Sequence, residues 1–169
     1  MERTVRKGLR TVAIVLVAMA GVRTHAQTRF EFTTIIFEYV GPTDRPVFPI
    51  VISASNEESE WLKKRFFGSP DFDLNPVRLV ENATMKEISD IPMLQFILNR
   101  PITKYGPISS PAVRIIAGAG HNYKETLISA GNCVGIIDEI KKHASAYPSL
   151  VDQLSEFEWR IKEGVRQQR

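Results

Sequence analysis

Apolar positions along the chain recur with two different periods, which predicts both strands and helices. Runs rich in β-branched and aromatic residues, some alternating and some apolar throughout, are typical of strands. Such runs lie at residues 29–40, 47–54, 77–80, 93–98, 113–117 and 125–129. The run at 93–98 also fits a helix that begins at Pro92. A further short edge strand is predicted near residues 102–105.

Stripes with helical spacing predict the helices that flank these strands. One helix is expected from Asn56, a brief one at 82–89, and two longer helices close the chain. The first of the closing pair starts near Asn132, and its apolar stripe is Cys133, Ile137, Ile140 and Ala144. The second starts at Pro148, and its stripe is Leu150, Leu154, Phe157, Ile161 and Val165. The fold class is therefore α/β, with α+β as the alternative, built on a mixed sheet of about five strands.

The N-terminal segment has the composition of a secretory signal peptide. A basic stretch is followed by the short apolar run 11–22 and by small residues ending at Ala26. The apolar run is shorter than the roughly 20 residues that a transmembrane helix needs. We therefore expect residues 1–26 to be removed, which leaves one domain, 27–169, that is periplasmic or secreted and has no stable membrane anchor.

Removal of this segment changes the charge of the protein. The segment contains five of the 22 basic residues and one of the 19 acidic residues, so 17 and 18 remain. The formal charge then changes from +3 to −1. The one basic run that remains, residues 63–65, closes a helix whose first turn is acidic. Nucleic acid is therefore not an expected partner, because binding it requires clustered Lys and Arg.

Part of the chain, about residues 46–145, resembles the thioredoxin family. PVFPIVISASNEESEWLKKRF (46–66) is similar to that family's buried strand and active-site helix, and Ile91-Pro92 matches its cis-proline dipeptide. MLQFIL (93–98) matches the strand that follows. The Cys-x-x-Cys motif is absent, because the helix starts Ser55-Asn56-Glu57-Glu58, so redox activity is not expected. The resemblance implies a groove near Asn56 in which the backbone of Ile91, beside Pro92, pairs with an extended peptide.

Cys133 and His121 form the alternative candidate site, that of a small exported hydrolase with a cysteine nucleophile. Cys133 also lies on the apolar stripe of its helix, where a small core residue is the more common interpretation. His121 follows Gly118-Ala119-Gly120, which reads as a hairpin loop because it lacks the Lys-Ser or Lys-Thr of a phosphate-binding loop.

Two weaker signals complete the set. Asp71, Asp73 and Asn75 match the first ligands of a calcium loop, but Pro76 stands where that loop needs glycine. Trp159 lies opposite the apolar stripe of the last helix, so a structural subunit that pairs through this face is a second alternative. The leading hypothesis is an exported, non-catalytic domain that binds a peptide or protein partner and needs no cofactor.

Overall fold

A computed structural model describes residues 29–41, 47–68, 77–100 and 111–167 of the 169-residue chain. The proposed signal peptide, the edge strand near 102–105 and the calcium-loop residues Asp71, Asp73 and Asn75 lie outside these ranges. None of the helices in the described ranges combines the length and the apolar character needed to span a bilayer.

The described residues form five strands and five helices. The strands are β1 (Thr34–Val40), β2 (Ile50–Ser53), β3 (Arg78–Leu79), β4 (Ala112–Ala119) and β5 (Asn122–Ser129). The helices are α1 (Asn56–Phe67), α2 (Asn82–Ser89), α3 (Pro92–Leu98), α4 (Ala130–His143) and α5 (Pro148–Arg166). The α/β class, the mixed five-stranded sheet and the two C-terminal helices are confirmed.

All five strands belong to one sheet, in the order β3-β2-β1-β4-β5. β2 and β3 are parallel, as expected of strands joined through a helix, and the other neighbours are antiparallel. β1 lies at the centre, and its β-branched and aromatic side chains alternate between two buried faces. Ile35, Ile36 and Phe37 are all fully buried.

The two faces of the sheet are covered by different numbers of helices. The four-helix face packs against α2, α3, α4 and α5, with Phe37 and Ile115 among its buried residues. The one-helix face packs against α1 through a smaller buried cluster. That cluster is Ile36, Val51, Leu62 and Ile116. Successive residues of a strand point to opposite faces, so each buried strand contributes to both layers.

Helix α1 begins where its sequence predicts. The hydroxyl of Ser55 accepts a hydrogen bond from the backbone N–H of Glu58 at 3.4 Å, so Ser55 caps the helix and Asn56 is its first residue. At the other end Gly68 adopts φ 73°, and its N–H bonds to the carbonyl of Lys64. These two capping interactions define where the helix begins and ends.

Gly120 and His121 form the two-residue turn between β4 and β5. Gly120 has φ 57°, while no non-glycine residue in the described ranges has a positive φ. A glycine at the first position of a two-residue hairpin turn is what a type II′ turn requires. The hairpin predicted around these glycines is confirmed, and His121 lies at its tip.

The strand predicted at residues 93–98 is wrong, because this run forms helix α3. Pro92 occupies the first helical turn, where its missing N–H has no cost. Leu94, Ile97 and Leu98 are buried at helical spacing, whereas Phe96 is 48% exposed. Length and apolar character alone did not separate the two structures.

The predicted strand at 29–40 is also shorter in the structure, since β1 begins at Thr34. The side chain of Gln95 in α3 explains the difference. It accepts from the N–H of Phe30 at 2.9 Å and donates to the carbonyl of Phe30 at 2.7 Å. The backbone there pairs with a side chain instead of a neighbouring strand.

Candidate functional site

Cys133 is a core residue of the four-helix face. Its side chain is fully buried among the apolar residues of α4. Burial raises the pKa of the thiol from its ordinary value of 9.0 to about 12. The thiolate, which is the nucleophilic form, is therefore scarce at neutral pH.

His121 lies on the other side of the sheet from Cys133. Its ring packs edge-on against Trp61 of α1, with 5.2 Å between ring centroids. Trp61 belongs to the one-helix face and Cys133 to the four-helix face. The structure therefore does not bring together the nucleophile and base of the hydrolase alternative.

Ile91 and Pro92 do not form the expected peptide groove. Every peptide bond in the described ranges is trans, including Ile91–Pro92. The N–H of Ile91 donates to the carbonyl of Ile88 at 3.2 Å, and its own carbonyl accepts from Gln95 at 3.0 Å. Both backbone groups are used by the local helical structure, so neither is available to pair with an added strand. The thioredoxin-like assignment stays a prediction.

Asn56 and Trp159 are both exposed on helices. The carbonyl of Asn56 accepts a 2.7 Å hydrogen bond from the hydroxyl of Ser59 within α1. Trp159 is 52% exposed on α5, and the guanidinium of Arg160 lies 4.9 Å from the centre of its ring. Pairing of two chains through Trp159 stays a prediction.

The feature that the sequence-based interpretation missed is the outer edge of β5. Hydrogen-bonded and non-hydrogen-bonded pairs alternate along an antiparallel ladder. The N–H of Ala130 donates to the carbonyl of Pro111 at 3.0 Å, which fixes this alternation for β4 and β5. It follows that even-numbered residues of β5 bond inward to β4. The N–H and C=O groups of Tyr123, Glu125 and Leu127 point outward.

These outward groups have no hydrogen-bond partner among the residues that the structure describes. β5 spans eight residues without a proline, and its neighbour on one side is β4. The side chains along it are half-buried or exposed. Such an edge presents a row of donors and acceptors to any strand that approaches it.

An aromatic cluster borders this edge on the one-helix face. We use this name for Trp61, Phe66, His121 and Tyr123. Tyr123 packs edge-on against Phe66, with centroids 5.0 Å apart, and lies 6.3 Å from Trp61. Tyr123 stays 38% exposed. Aromatic side chains that combine packing with exposure are enriched where proteins bind partners.

A three-residue charge network lies next to the aromatic cluster on the same face. The Nε of Arg114 is 2.5 Å from a carboxylate oxygen of Glu38, while its Nη1 is 3.5 Å from Glu125. The guanidinium also lies about 6 Å from the rings of Phe66 and Phe67. One cation between two carboxylates leaves one negative charge, and Glu125, with the longer contact, is the less neutralised carboxylate.

Glu58 connects the hairpin turn to α1. One of its carboxylate oxygens accepts from the backbone N–H of Gly120 at 3.1 Å. The other is buried and has no hydrogen-bond partner among the described residues. This contact holds the tip of the β4–β5 hairpin against the helix that carries Trp61 and Phe66.

Helix α3 flanks β5 on the four-helix face. The amine of Lys124 donates to the side-chain oxygen of Asn99 and lies 4.6 Å from the centre of the Phe30 ring. Phe96 is three residues from Asn99 and so shares its side of the helix. Met93 and Phe96 are about half exposed. The β5 edge thus has apolar surface close to it on both faces.

No group of three or more His, Cys, Asp or Glu side chains that could hold a metal ion occurs within the four described ranges. His143 makes a 3.3 Å contact with Glu87 at the surface. In comparisons with known proteins, no family model, curated protein or solved structure matched this chain.

Proposed function

We propose that this protein is an exported, non-catalytic domain that binds an extended segment of a partner polypeptide at the edge of its sheet. One observation supports the proposal above all others. The outward N–H and C=O groups of Tyr123, Glu125 and Leu127 meet no partner among the described residues. An extended peptide is the ligand whose main chain complements alternate donors and acceptors, and it would form a sixth strand.

β5 contains no proline, and its two charged side chains, Lys124 and Glu125, both have partners in the structure. Free charged side chains and prolines commonly prevent unwanted pairing. In β5 the charge of Lys124 is directed to Asn99 and the Phe30 ring, and Glu125 contacts Arg114. Among the described residues, both charges therefore make their contacts on the faces of the sheet and not across the outward backbone groups.

The non-catalytic part of the proposal is supported by the burial of Cys133 and its separation from His121. Ellman's reagent added to the native protein at pH 7.5 should react with Cys133 only as fast as the protein unfolds. The same reaction in denaturant is the control, because it measures how fast the exposed thiol of Cys133 reacts. Prompt labelling of the native protein would favour the hydrolase alternative.

The binding proposal can be tested with two single variants that place proline at neighbouring positions of β5. Leu127→Pro removes an outward N–H, which an edge strand tolerates, whereas Thr126→Pro removes a ladder hydrogen bond and should unfold the protein. Circular dichroism checks the folding of both variants. A random heptapeptide display library panned against wild type should yield clones that Leu127→Pro fails to bind. Clones that bind both proteins equally would contradict the proposal.

Hydrogen exchange provides a test that needs no variant. A peptide enriched in this way should slow the exchange of the amides of Tyr123, Glu125 and Leu127 in wild type. The amides of Lys124 and Thr126, which already bond to β4, serve as internal controls. Unchanged exchange at the outward amides in saturating peptide would place binding elsewhere and contradict the proposal.

Export can be examined separately. The full chain, expressed in a host with a secretory pathway, should appear in the exported fraction with Gln27 as its first residue, because residues 1–26 match a signal peptide. Intact-mass spectrometry measures this. Retention of Met1 in a cell-associated protein would contradict export and leave the binding proposal untouched.

A further inference from the structure

The side chains beside the β5 edge indicate which peptide it would accept, an inference that rests on the proposed function. Residues of an added strand that lie directly opposite Tyr123, Glu125 and Leu127 project to the one-helix face, because paired residues share a face. Their side chains would lie next to these three residues. The chemistry of the one-helix face therefore selects alternate positions of the ligand.

Glu125 favours a basic side chain in the ligand. Its 3.5 Å contact with Arg114 is long, while Arg114 makes its 2.5 Å contact with Glu38. The side chain of Glu125 is 24% exposed, and an ionised carboxylate accepts several hydrogen bonds. A Lys or Arg opposite Glu125 would neutralise the remaining negative charge of the network.

Tyr123 and Leu127 favour large apolar side chains two residues to either side. Tyr123 is 38% exposed and packs against Phe66, so an apolar ligand side chain there would extend the aromatic cluster. Leu127 is half-buried and pairs across the ladder with Arg114. The resulting pattern, apolar-x-basic-x-apolar, is symmetric and so does not depend on strand direction.

A second copy of this chain fits the edge poorly. In a dimer whose two-fold axis is perpendicular to the sheet, the β5 strands of the two copies run antiparallel. Odd-numbered residues of one strand then lie opposite odd-numbered residues of the other. Glu125 would then face Tyr123, Leu127, Ser129 or its own counterpart, and never Lys124. Two carboxylates opposite each other repel, and the remaining registers leave Glu125 without an opposite charge.

We propose that β5 binds an extended peptide of the pattern apolar-x-basic-x-apolar, with the basic residue opposite Glu125. The probe is the peptide acetyl-Thr-Phe-Thr-Lys-Thr-Leu-Thr-amide, and its matched control replaces the lysine by glutamate. Isothermal titration calorimetry on the purified protein measures both affinities. We expect wild type to prefer the lysine peptide by roughly fivefold at low salt, with a smaller preference in 1 M salt.

Variants that change the charge at residue 125 test whether Glu125 causes the preference for the lysine peptide. Glu125→Gln should bind both peptides with similar affinity, and Glu125→Lys should prefer the glutamate peptide. Circular dichroism checks that each variant is folded. If Glu125→Lys does not fold, the milder variant Glu125→Gln still tests the assignment. An undiminished preference for lysine in folded Glu125→Gln would overturn the assignment of Glu125.

The remaining outcomes separate this inference from the proposed function. Equal affinity of wild type for both peptides, lost in Leu127→Pro, would overturn the basic-residue preference and leave edge binding supported. Binding of neither peptide, together with no library clones, would overturn both. A wild-type dimer in sedimentation that Leu127→Pro converts to monomer would assign the edge to a second copy and overturn the peptide inference.

Discussion

The two faces of the sheet bury very different amounts of apolar surface. The four-helix face contributes to a cluster of 26 buried apolar residues in the described ranges, whereas the cluster on the one-helix face has four. The one-helix face also buries polar groups. The hydroxyls of Thr34 and Ser53 are 2.6 Å apart, and Lys63 of α1 is only 8% exposed. Since burial of apolar area is the main source of stability, the four-helix face holds the fold together.

The two faces also differ in how completely their side chains are covered. The four-helix face is closed by side chains such as Leu154 and Ile161 that are fully buried. On the one-helix face, α1 leaves the Arg114 network and Tyr123 partly exposed beside β5. Aromatic and charged groups that are only half covered can change contacts without opening the main core.

The largest expected effect on the free energy of unfolding comes from substituting two neighbouring isoleucines of β4. Ile115 and Ile116 are both fully buried but point to opposite faces. We expect Ile115→Ala to lower the free energy of unfolding by about 4 kcal/mol and Ile116→Ala by about 2 kcal/mol. Ile115 lies in the larger buried cluster, whereas Ile116 is covered by α1 alone, so we expect a cavity at Ile116 to be filled more readily. Urea denaturation measures both values, and equal losses would contradict the distinction between the faces.

The second effect concerns the buried thiol of Cys133. Its pKa is raised to about 12 in the folded protein, so the unfolded chain ionises first as pH rises above 9. The contribution to stability is complete below pH 9 and is lost between about pH 9 and 12. By pH 10.5 the loss should reach about 2 kcal/mol.

Urea denaturation of wild type and Cys133→Ala across this pH range isolates the thiol from other groups. Burial also raises the pKa of Tyr39, but Tyr39 titrates in both proteins, so its effect cancels in the stability difference. The stability difference between the two proteins should shrink as pH rises. A difference that stays constant from pH 8 to 10.5 would show that the thiol is not buried as described.

The third effect tests an ion pair between the two closing helices. Lys141 of α4 lies 2.5 Å from Glu158 of α5, whose side chain is 11% exposed. Burial acts to raise the pKa of Glu158, but the hydrogen bonds from Lys141 and Lys162 outweigh it and lower the pKa. We expect Glu158→Gln to cost about 1 kcal/mol at pH 7.

The pH dependence of that cost has a definite sign. A lowered pKa contributes stability above the ordinary value of 4.5, and this contribution is lost as pH falls through the folded pKa. The difference between wild type and Glu158→Gln should therefore decrease in acid. Glu156→Gln is the control, because the Glu156 side chain is 66% exposed in its pair with Arg160 and should change stability little.

The smallest effect compares two helical glycines. A methyl group at Gly164 of α5 would overlap the hydroxyl of Tyr39, whereas a methyl group at Gly135 of α4 would meet open space. Gly135→Ala should raise stability by about 0.5 kcal/mol through helix propensity. Gly164→Ala should lower it by about 1 kcal/mol, because overpacking exceeds that gain. Thermal denaturation checks the opposite signs, and a gain in both variants would contradict close packing of α5.

Local sequence signals predicted most elements because the relevant forces act within a few residues. Helix α2 was predicted with its observed limits, and α1 and α5 begin at Asn56 and Pro148 as predicted. The strand prediction for residues 93–98 was wrong because a short apolar run fits both the helical and the strand period.

The candidate site could not be predicted in the same way. Ile91-Pro92 suggested a peptide groove, but its backbone is satisfied by Ile88 and Gln95. Cys133 and His121 are twelve residues apart in sequence and lie on opposite faces of the sheet. Separation along the chain does not report which face of a sheet a side chain occupies.

The sequence by itself determined the helix ends, the glycine turn at Gly120 and the inward stripe that contains Cys133, because capping, backbone conformation and periodicity are local properties. The tertiary structure alone decided that β1 lies at the centre of the sheet and that β5 lies at an edge. Strand order depends on pairings between residues far apart in sequence, such as Glu38 with Arg114. Those pairings place Tyr123 and the Arg114 network together beside Phe66, and among the described residues they leave the outward backbone groups of β5 without a hydrogen-bond partner.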